Sequence, residues 1–348
     1  MNRLLGLISA PIALIFTLVV AAGALTLGGY DPGAAFGALV EGALGSPRAL
    51  ASVTLVRMVP LLLTGLAVAL AFRAGLWNIG AEGQLYAGAA MAVWLGLNAG
   101  ALPSWVALPG VLAGAALGGA LWALIPALLR LRLGVGEVIT TLLMNFVALN
   151  LAGWLVHGPL QESRGVFPQT DPIVEAARLP LLVSGTRLHG GLLLGLALAA
   201  VLFVVLRYSA IGFATRAVGA SPQAAASAGR IASGRILLGV FLVSGAMAGL
   251  AGGVEITGVT FALYENLSPG HGYTAIAVAL LAGLHPLAVV VTSFVFAVLE
   301  AGASAMQRSA GVPAAWVNGV QALVILSVLA VDQVLRRAWL GRRGEADG

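Results

Sequence analysis

The chain of 348 residues contains no cysteine and no lysine, and only 9% of its residues are charged. Without cysteine it can form no disulfide, no thiolate metal site and no cysteine nucleophile. Without lysine it cannot contain the Gly-Lys-Ser/Thr loop that holds nucleotide phosphates, so it does not hydrolyse ATP through such a loop. The sequence therefore excludes several classes of enzyme.

Other catalytic signatures are also missing. The four histidines are scattered without the spacing of metal ligands. There is no Gly-x-Ser-x-Gly elbow and no paired-carboxylate motif. We expect no catalytic residue, no metal site and no cofactor bound by this chain, and we disfavour a membrane-embedded enzyme.

What the sequence has in abundance is apolar residues. They make up 60% of the chain, whose mean hydropathy is +1.01, whereas a soluble domain has roughly 25% charged residues. The apolar stretches are long and rich in Leu, Ala, Val and Gly, while a membrane β-barrel would show short alternating segments. We predict an all-α integral membrane protein, with a single transmembrane domain over residues 1–348.

The apolar stretches predict about ten transmembrane helices. The first ends near Leu27, and Leu85–Leu97 and Ala275–Leu284 are short and flanked by glycine, as expected of broken or re-entrant helices. The others are Val53–Phe72, Val106–Leu129, Val138–Val156, Leu192–Leu206, Ile236–Gly253, Leu287–Ala303 and Ala315–Val331.

Arginine predicts the orientation. All 18 basic residues are arginine, and most fall on one side of the predicted helices, which places both termini in the cytoplasm. The outer loop is then residues 157–190 and the main cytoplasmic loop residues 207–235. Five crossings on each side of the outer loop would give two halves of opposite orientation, as in an inverted repeat. The net charge of +5 reflects this topology, and no nucleic-acid binding is expected.

Polar side chains interrupt the segment Phe72–Leu85. Asn78, Glu82 and Gln84 lie among glycines, and an ionisable group in hydrocarbon costs several kcal/mol. These residues are expected to face a water-filled substrate pathway or a protein interface. From composition alone, lining a pathway and joining helices are about equally plausible interpretations.

Two later clusters repeat this pattern. Glu137, Thr140 or Thr141, and Asn145 share one helical stripe, on which Glu137 favours a capping role and Asn145 a place on the pathway. Asn318 and Gln321 flank Trp316 at helical spacing and could present amides beside an aromatic ring, which suits a flat polar solute.

The cytoplasmic loop carries a helix signal. Ser221-Pro222 is a capping sequence, and good helix formers follow it. The resulting short helix could bind anionic lipid through Arg216 and Arg230. Its exposed alanine face is too small for deep insertion and better suits docking into a cleft of another protein.

This loop resembles the coupling helix of ABC importer permeases, whose signature is Glu-Ala-Ala followed by a glycine. Gln223, Ala224, Ala225 and Gly229 occupy those places, with glutamine in place of glutamate. Gly75–Gln84 looks like the Phe-Asn-Ile-Gly-Ala-Glu-Gly-Gln hallmark of the nucleoside-type permeases, with Trp77 in place of phenylalanine. The resemblance continues through Gly136–Asn145, Ala217–Pro222 and Tyr273–Leu281.

The resemblance implies a permease subunit in a bacterial cell membrane. It would pair with a second homologous permease subunit, be driven by a separate cytoplasmic ATPase, and receive nucleosides from an extracytoplasmic substrate-binding lipoprotein. The loops Gly28–Ser52 and His157–Gly190 would receive that lipoprotein.

The polar residues and the resemblance together predict residues for two tasks. Substrate-pathway residues would be Asn78, Glu82, Gln84, Asn145, Asn318 and Gln321. Residues coupling the chain to the ATPase would be Arg216, Gly219, Gln223, Ala224, Ala225 and Gly229.

Two other functions remain open at this point. A permease for simple sugars or branched-chain amino acids would share the fold and the coupling loop. A proton-coupled secondary transporter could use Glu82, Glu137 or Glu255 as its titrating group and would need no ATPase.

Overall fold

The computed structural model of the chain describes residues 15, 19–227, 231–313, 316, 319, 322–323 and 326. Over these residues the secondary structure is helical without a β-strand, and the only β-type contacts are the isolated bridges Gln169 to Tyr264 and Leu181 to His189. The predicted all-α class is therefore confirmed.

Eleven helices of six residues or more have bounds in the described part of the chain. They are α1 Pro32–Leu44, α2 Leu55–Arg73, α3 Ala81–Asn98, α4 Ser104–Leu133, α5 Glu137–His157, α6 Gly191–Tyr208, α7 Ala210–Ala220, α8 Pro222–Ser227, α9 Ser233–Glu255, α10 His271–Leu281 and α11 Pro286–Ser309. Short turns flank them: an α-turn at Pro47–Ala49, π-turns at Leu50–Thr54 and Ile256–Thr260, and a 3₁₀ turn at Glu175–Ala177.

Six stretches within the described residues are long and apolar enough to cross a bilayer. They are Pro47–Arg73, Ser104–Leu133, Glu137–His157, Gly191–Tyr208, Ser233–Thr260 and Pro286–Ser309. The chain is thus a multi-pass membrane protein. Of the two segments predicted to be short, α10 has 11 residues, whereas α3 has 18 because the polar sequence Ala81–Gln84 forms its first turn.

The chain divides into two compact units. The terminal unit comprises residues 1–54 and 298–348, and its apolar cluster is built around Leu25, Ala35, Met306 and Val312. The predicted loop Gly28–Ser52 contains helix α1. Asp31 caps that helix by accepting a hydrogen bond from Gly33 N–H (2.8 Å), and Pro32 begins it, as is common at this position.

The larger unit, residues 55–297, is organised around α9, which packs closely on α3 and α4. Glycines make these approaches possible. A methyl group on Gly249 would collide with the carbonyl oxygen of Ala115, and one on Gly252 would collide with that of Leu85. Small residues at such crossings let helix backbones approach within van der Waals contact, which drives helix association in membranes.

The predicted outer loop is an ordered segment that folds back on the turn after α9. Thr170 N–H, Ile173 N–H and Leu179 N–H donate to backbone carbonyls of Leu263, Phe261 and Thr257 at 2.8 to 2.9 Å. Backbone pairing of this kind satisfies polar groups without a helix.

Two ionisable side chains in this outer segment have shifted pKa values. Hydrogen bonds from Gln169 and from Phe167 N–H lower the pKa of the partly exposed Glu162. Burial lowers the pKa of His189 to about 4, and its ring lies against Gly191 and Gly258. Glu162 therefore stays ionised and His189 neutral at physiological pH.

Replacing Gly249 with alanine should destabilise the protein. The added methyl group meets backbone atoms of α4, which cannot move aside as a flexible side chain can, so we expect a loss of about 1–3 kcal/mol. Gly239→Ala is the matched control on the same helix, since no atom lies within 4 Å of its methyl position. Thermal unfolding of both variants in detergent provides the measurement. Equal melting temperatures would contradict close packing of α9 on α4.

Candidate functional site

The polar motif lies where the chain leaves α2 and enters α3. Gly75 has a φ of +75°, and Leu76 N–H donates to Ala71 O (3.0 Å), which ends α2 in a left-handed turn. Residues 74–80 are not helical, and α3 begins at Ala81. We call residues 74–80 the connecting segment. Its backbone groups need partners outside a helix.

Asn78 and Gln84 form a reciprocal amide pair across this segment. Asn78 Nδ2 donates to Gln84 Oε1 and Gln84 Nε2 donates to Asn78 Oδ1, both at 3.0 Å. Asn78 Nδ2 also donates to Ser244 Oγ (2.9 Å), and Asn78 Oδ1 also accepts from Gly80 N–H (3.0 Å). The Asn78 side chain is fully buried and uses its whole hydrogen-bonding capacity.

Ser244 extends the amide pair to two further helices. This buried serine lies on α9, and its Oγ donates to the carbonyl oxygen of Ala67 on α2 at 2.8 Å. One chain of hydrogen bonds therefore joins α2, α9, the connecting segment and α3. Such a network holds its members in one arrangement, because opening it would leave buried polar groups unpaired.

A second set of contacts comes from α5. Asn145 Oδ1 accepts from Gly83 N–H (2.8 Å) and its Nδ2 donates to Ile79 O (2.9 Å), while Thr141 Oγ1 accepts from Ile79 N–H (3.2 Å). Glu137 Oε1 accepts from Trp77 N–H at 3.3 Å. The predicted polar stripe of α5 thus binds the backbone between residues 77 and 83. We call Glu137, Thr141 and Asn145 the α5 stripe.

Glu137 does not serve mainly as a cap of its own helix. Its carboxylate forms an ion pair with Arg130 near the end of α4, in addition to the contact with Trp77 N–H. No side chain caps the start of α5, where Gly136 is the N-cap. Glu137 thus keeps its predicted place at the start of α5, where the helix dipole favours a carboxylate, and it also links α4, α5 and the connecting segment.

Glu82 belongs to α3, and its carboxylate lies at the start of the short helix α10. The side chain is 1% exposed, and its Oε2 accepts from Gly272 N–H at 2.6 Å. A carboxylate at a helix N-terminus satisfies a free N–H group and is stabilised by the helix dipole. Gly272 must be small, because a methyl group there would collide with the backbone of Glu82. The first turns of α3 and α10 are therefore in direct contact.

Tyr86 makes a second contact, from α3 to the loop that precedes α10. It lies one turn after Glu82, and its hydroxyl accepts from Ser268 N–H (3.1 Å) and donates to Glu265 O (3.5 Å). The ring is buried. Together, Glu82 and Tyr86 fix the position of the first turn of α10 and of the loop that leads into it.

Helices α7 and α8 lie within residues 207–235, the loop that the sequence predicts to be cytoplasmic. Ser209 caps α7 through Gly212 N–H (3.0 Å), and Ser221 caps α8 through Ala224 N–H (3.2 Å). Gln223 and Ala224 are exposed while Ala225 is buried, so α8 presents a small polar and alanine surface.

Gly219 connects α7 to the end of α2. A methyl group on Gly219 would collide with the carbonyl oxygen of Arg73, and Gly75 lies against the same glycine. Arg216, also on α7, is partly buried and lines a small pocket with Arg73 and Arg207. Helix α7 therefore contacts the connecting segment directly, through Gly219 and Gly75.

Four of the residues predicted to line a pathway lie close together. Asn78 is in the connecting segment, Gln84 and Asn145 bind it or the first turn of α3, and Glu82 joins α3 to α10. Asn318, Gln321 and Gly229 lie outside the described residues. In the described part of the chain, no cluster of His, Asp and Glu side chains could hold a metal ion.

Three further residues take part in this site that the sequence did not predict. Ser244 lies in the apolar middle of α9, Gly272 is the second residue of α10, and Tyr86 shares a helical face with Glu82. Only the spacing of Glu82 and Tyr86 was a readable signal, since residues four apart lie on one side of a helix. The other two depend on tertiary packing.

The chain is similar to several characterised transport proteins. It is 40% identical over 331 residues to a glucose ABC transporter permease protein of Haloferax volcanii, covering 92% of this chain and 86% of that protein. It is 37% identical over 333 residues to a guanosine ABC transporter permease protein of Bacillus subtilis, covering 94% of both. A nucleoside ABC transporter permease protein of Lactococcus lactis is 32% identical over 91% of this chain and 89% of its own length.

No solved structure matches the chain. A protein family described as branched-chain amino acid transport system / permease component matches residues 50–329, which include the connecting segment, the α5 stripe and the helices α7 and α8. With this match and relatives aligned over almost the whole length, the chain belongs to this family of ABC transporter permeases.

Proposed function

We propose that the chain is the membrane-spanning permease subunit of an ATP-driven importer of nucleosides. It would accept solute from an extracytoplasmic binding protein and pass it to the cytoplasm. The observation that carries this proposal is the pair of relatives named for guanosine and for nucleosides, which align with 94% and 91% of the chain. The motif Gly75–Gln84 supports the same substrate class through its resemblance to nucleoside-type permeases.

Import of a simple sugar is the second candidate. The 40% identical relative is named as a glucose permease, and its identity to this chain exceeds that of the relative named for guanosine. Ribose, the sugar part of a nucleoside, offers hydroxyl groups similar to those of a free sugar. The two candidates therefore differ in whether the transporter recognises a base.

The proposed assembly has several subunits. A separate cytoplasmic ATPase would bind and hydrolyse ATP, since this chain has no lysine for a phosphate-binding loop and is proposed to bind no cofactor. A second, homologous permease subunit would complete the membrane part. Bacillus subtilis has two permease proteins named for guanosine, at 37% and 28% identity to this chain, which supports such a heterodimer.

The proposed topology has about ten crossings, arranged as an inverted repeat, with both termini in the cytoplasm. Arginine in the last turn of three helices supports one common side: Arg73 in α2, Arg130 and Arg132 in α4, and Arg207 in α6. This would place α7 and α8 in the cytoplasm, where an ATPase could reach them.

In the proposed mechanism, the surface of α7 and α8 receives the force. Movement of α7 would act on the end of α2 through Gly219 and Arg73, and from there on the connecting segment. Asn78, Glu82, Gln84 and Asn145 would border the route by keeping this segment and α10 in shape. Alternating access would follow from rigid movement of these linked helices.

A proton-coupled mechanism is less well supported by the geometry. Glu82 accepts a hydrogen bond at the start of α10, and Glu137 pairs with Arg130. Protonating either group would weaken contacts that hold the helices together. An ATP-driven cycle does not require Glu82 or Glu137 to be protonated.

Reconstitution distinguishes the two substrate classes. The chain, its second permease subunit and the neighbouring ATPase and binding protein would be purified together and placed in liposomes. We expect ATP hydrolysis and uptake to be stimulated by guanosine or another nucleoside and not by glucose or ribose. Stimulation by glucose alone would favour the sugar candidate, and uptake driven by a pH gradient without ATP would overturn the proposed mechanism.

Thr141→Val should weaken the site, because it removes the hydrogen-bond acceptor of Ile79 N–H. We expect a loss of about 1–3 kcal/mol in unfolding free energy together with reduced uptake. Thr140→Val is the matched control on the neighbouring position, since Thr140 Oγ1 donates only to carbonyls of its own helix start, Gly136 and Glu137. Equal stability and equal uptake of the two variants would argue against a role for the α5 stripe.

Ala224→Phe should block coupling to the ATPase. Ala224 is exposed on α8, so a large ring there should leave the fold intact but prevent docking into a cleft shaped for a small side chain. Gln223→Glu is the control, because glutamate occupies that place in the resembled signature. We expect Ala224→Phe to lose ATPase copurification and uptake while Gln223→Glu retains both. Normal copurification of Ala224→Phe would place the ATPase contact elsewhere.

A further inference from the structure

A second polar region lies apart from the buried network. An open cleft of about 330 Å³ runs between the C-terminal half of α5 and the loop before α10. Its lining includes Asn150, Gly153, Trp154, His157, Glu265 and Asn266. In contrast to Asn78 and Gln84, the polar side chains among these residues are exposed.

The position of Asn150 and His157 needs an explanation. The exposed face of α5 is apolar at Ile139, Leu143 and Phe146, and it becomes polar at Asn150 and His157. A polar group turned toward lipid tails loses its hydrogen bonds to water, so exposed polar residues on a membrane helix usually face a cavity that holds water. The C-terminal part of this face is therefore better suited to water than to lipid tails.

Gly153 widens the cleft at its centre. A methyl group there would be 3.7 Å from Glu265 Oε1, which is an ordinary van der Waals distance. The bare backbone leaves room beside the Glu265 carboxylate. A larger side chain would fill this space without touching the buried core.

The chemistry of the lining suits a flat solute with hydroxyl groups. The Trp154 side chain is 62% exposed and offers a ring face on which a base can stack. The Glu265 carboxylate can accept hydrogen bonds from ribose hydroxyls. Asn150 Nδ2 donates to Phe146 O (2.8 Å), which leaves its carbonyl oxygen available as an acceptor.

We propose that this cleft is a contact site for a nucleoside on its way through the permease. The inference rests on the proposed function and adds the residues that touch the solute. Adjacent polar and aromatic groups at an open site can bind the solute weakly and release it. The saturated amide pair of Asn78 and Gln84 could do so only by breaking its own bonds.

The absence of cysteine permits a direct test. Single substitutions Asn150→Cys and Asn266→Cys would each carry the only thiol in this chain, in a transporter whose partner subunits are also free of reactive cysteine. The reconstituted complex would be treated with a water-soluble, membrane-impermeant thiol reagent, with and without excess guanosine. We expect both thiols to react and guanosine to suppress the reaction. Leu102→Cys, exposed between α3 and α4 and outside the two loops expected to receive the binding protein, is the control that should react equally in both conditions.

Each result bears on the proposal. Failure of both cleft thiols to react while Leu102→Cys reacts would mean that the cleft faces lipid or another subunit, and would overturn the inference. Reaction without protection by guanosine would show a water-filled space that does not bind the nucleoside, and would also overturn it.

A blocking variant tests the same site by uptake. Gly153→Phe should fill the cleft and lose most guanosine uptake, whereas Gly239→Phe, at an exposed position of α9 with no neighbour within 4 Å of its methyl position, should keep it. Melting temperature and copurification with the ATPase should be unchanged in both, because the ring at position 153 enters the cleft, where the nearest neighbour of a methyl group is Glu265 Oε1 at 3.7 Å. Wild-type uptake by Gly153→Phe would contradict the proposal. If the unmodified transporter takes up no nucleoside at all, the proposed function fails first, which is a separate result.

Discussion

The interaction on which this structure depends is the binding of an unwound backbone by side chains. In a bilayer, backbone N–H and C=O groups outside a helix have no water to bind and must find partners within the protein. The connecting segment has such groups between α2 and α3. The α5 stripe supplies acceptors for Trp77 and Ile79 N–H and a donor for Ile79 O, and Asn145 also binds Gly83 N–H on the first turn of α3. Without this stripe the break between the two helices would be costly.

Close packing makes the hydrogen bonds possible. Gly83 lies against Asn145, where a methyl group would be 3.0 Å from both Asn145 Cα and Oδ1, and Gly272 lies against the backbone of Glu82. These glycines let the first turns of α3 and α10 and the middle of α5 approach closely enough for side chains to reach backbone groups. The glycines and the polar side chains therefore act together. The glycines let the backbones approach, and the amide and carboxylate side chains then fix the register of the helices through hydrogen bonds.

The sequence predicted the helical membrane class, the broken region and the polar stripe on α5. It did so because these features depend on local patterns: apolar length, glycine near polar residues, and a spacing of four. It could not identify the partners. Whether Asn78 faces a pathway or another helix depends on Ser244, which lies 166 positions away in the chain. The carboxylate of Glu82 binds Gly272 N–H at the start of α10, 190 positions away in the chain. Neither contact can therefore be recognised from the local sequence.

The contrast between buried and exposed polar groups suggests how one chain can combine a rigid part with a part whose side chains exchange hydrogen-bond partners. A group that binds cargo must be free to exchange partners, whereas a group that transmits force must not. Asn78 has its donors and acceptors occupied within the protein, so it can carry displacement from α2 to α9 without yielding. Asn150 and Glu265 are exposed at an open cleft, so in the proposed mechanism they would change partners as solute passes. Because α5 carries Asn145 on one face and Asn150 on another, movement of the connecting segment would also reshape the cleft. The same helix would therefore connect the part proposed to receive force to the part proposed to touch solute.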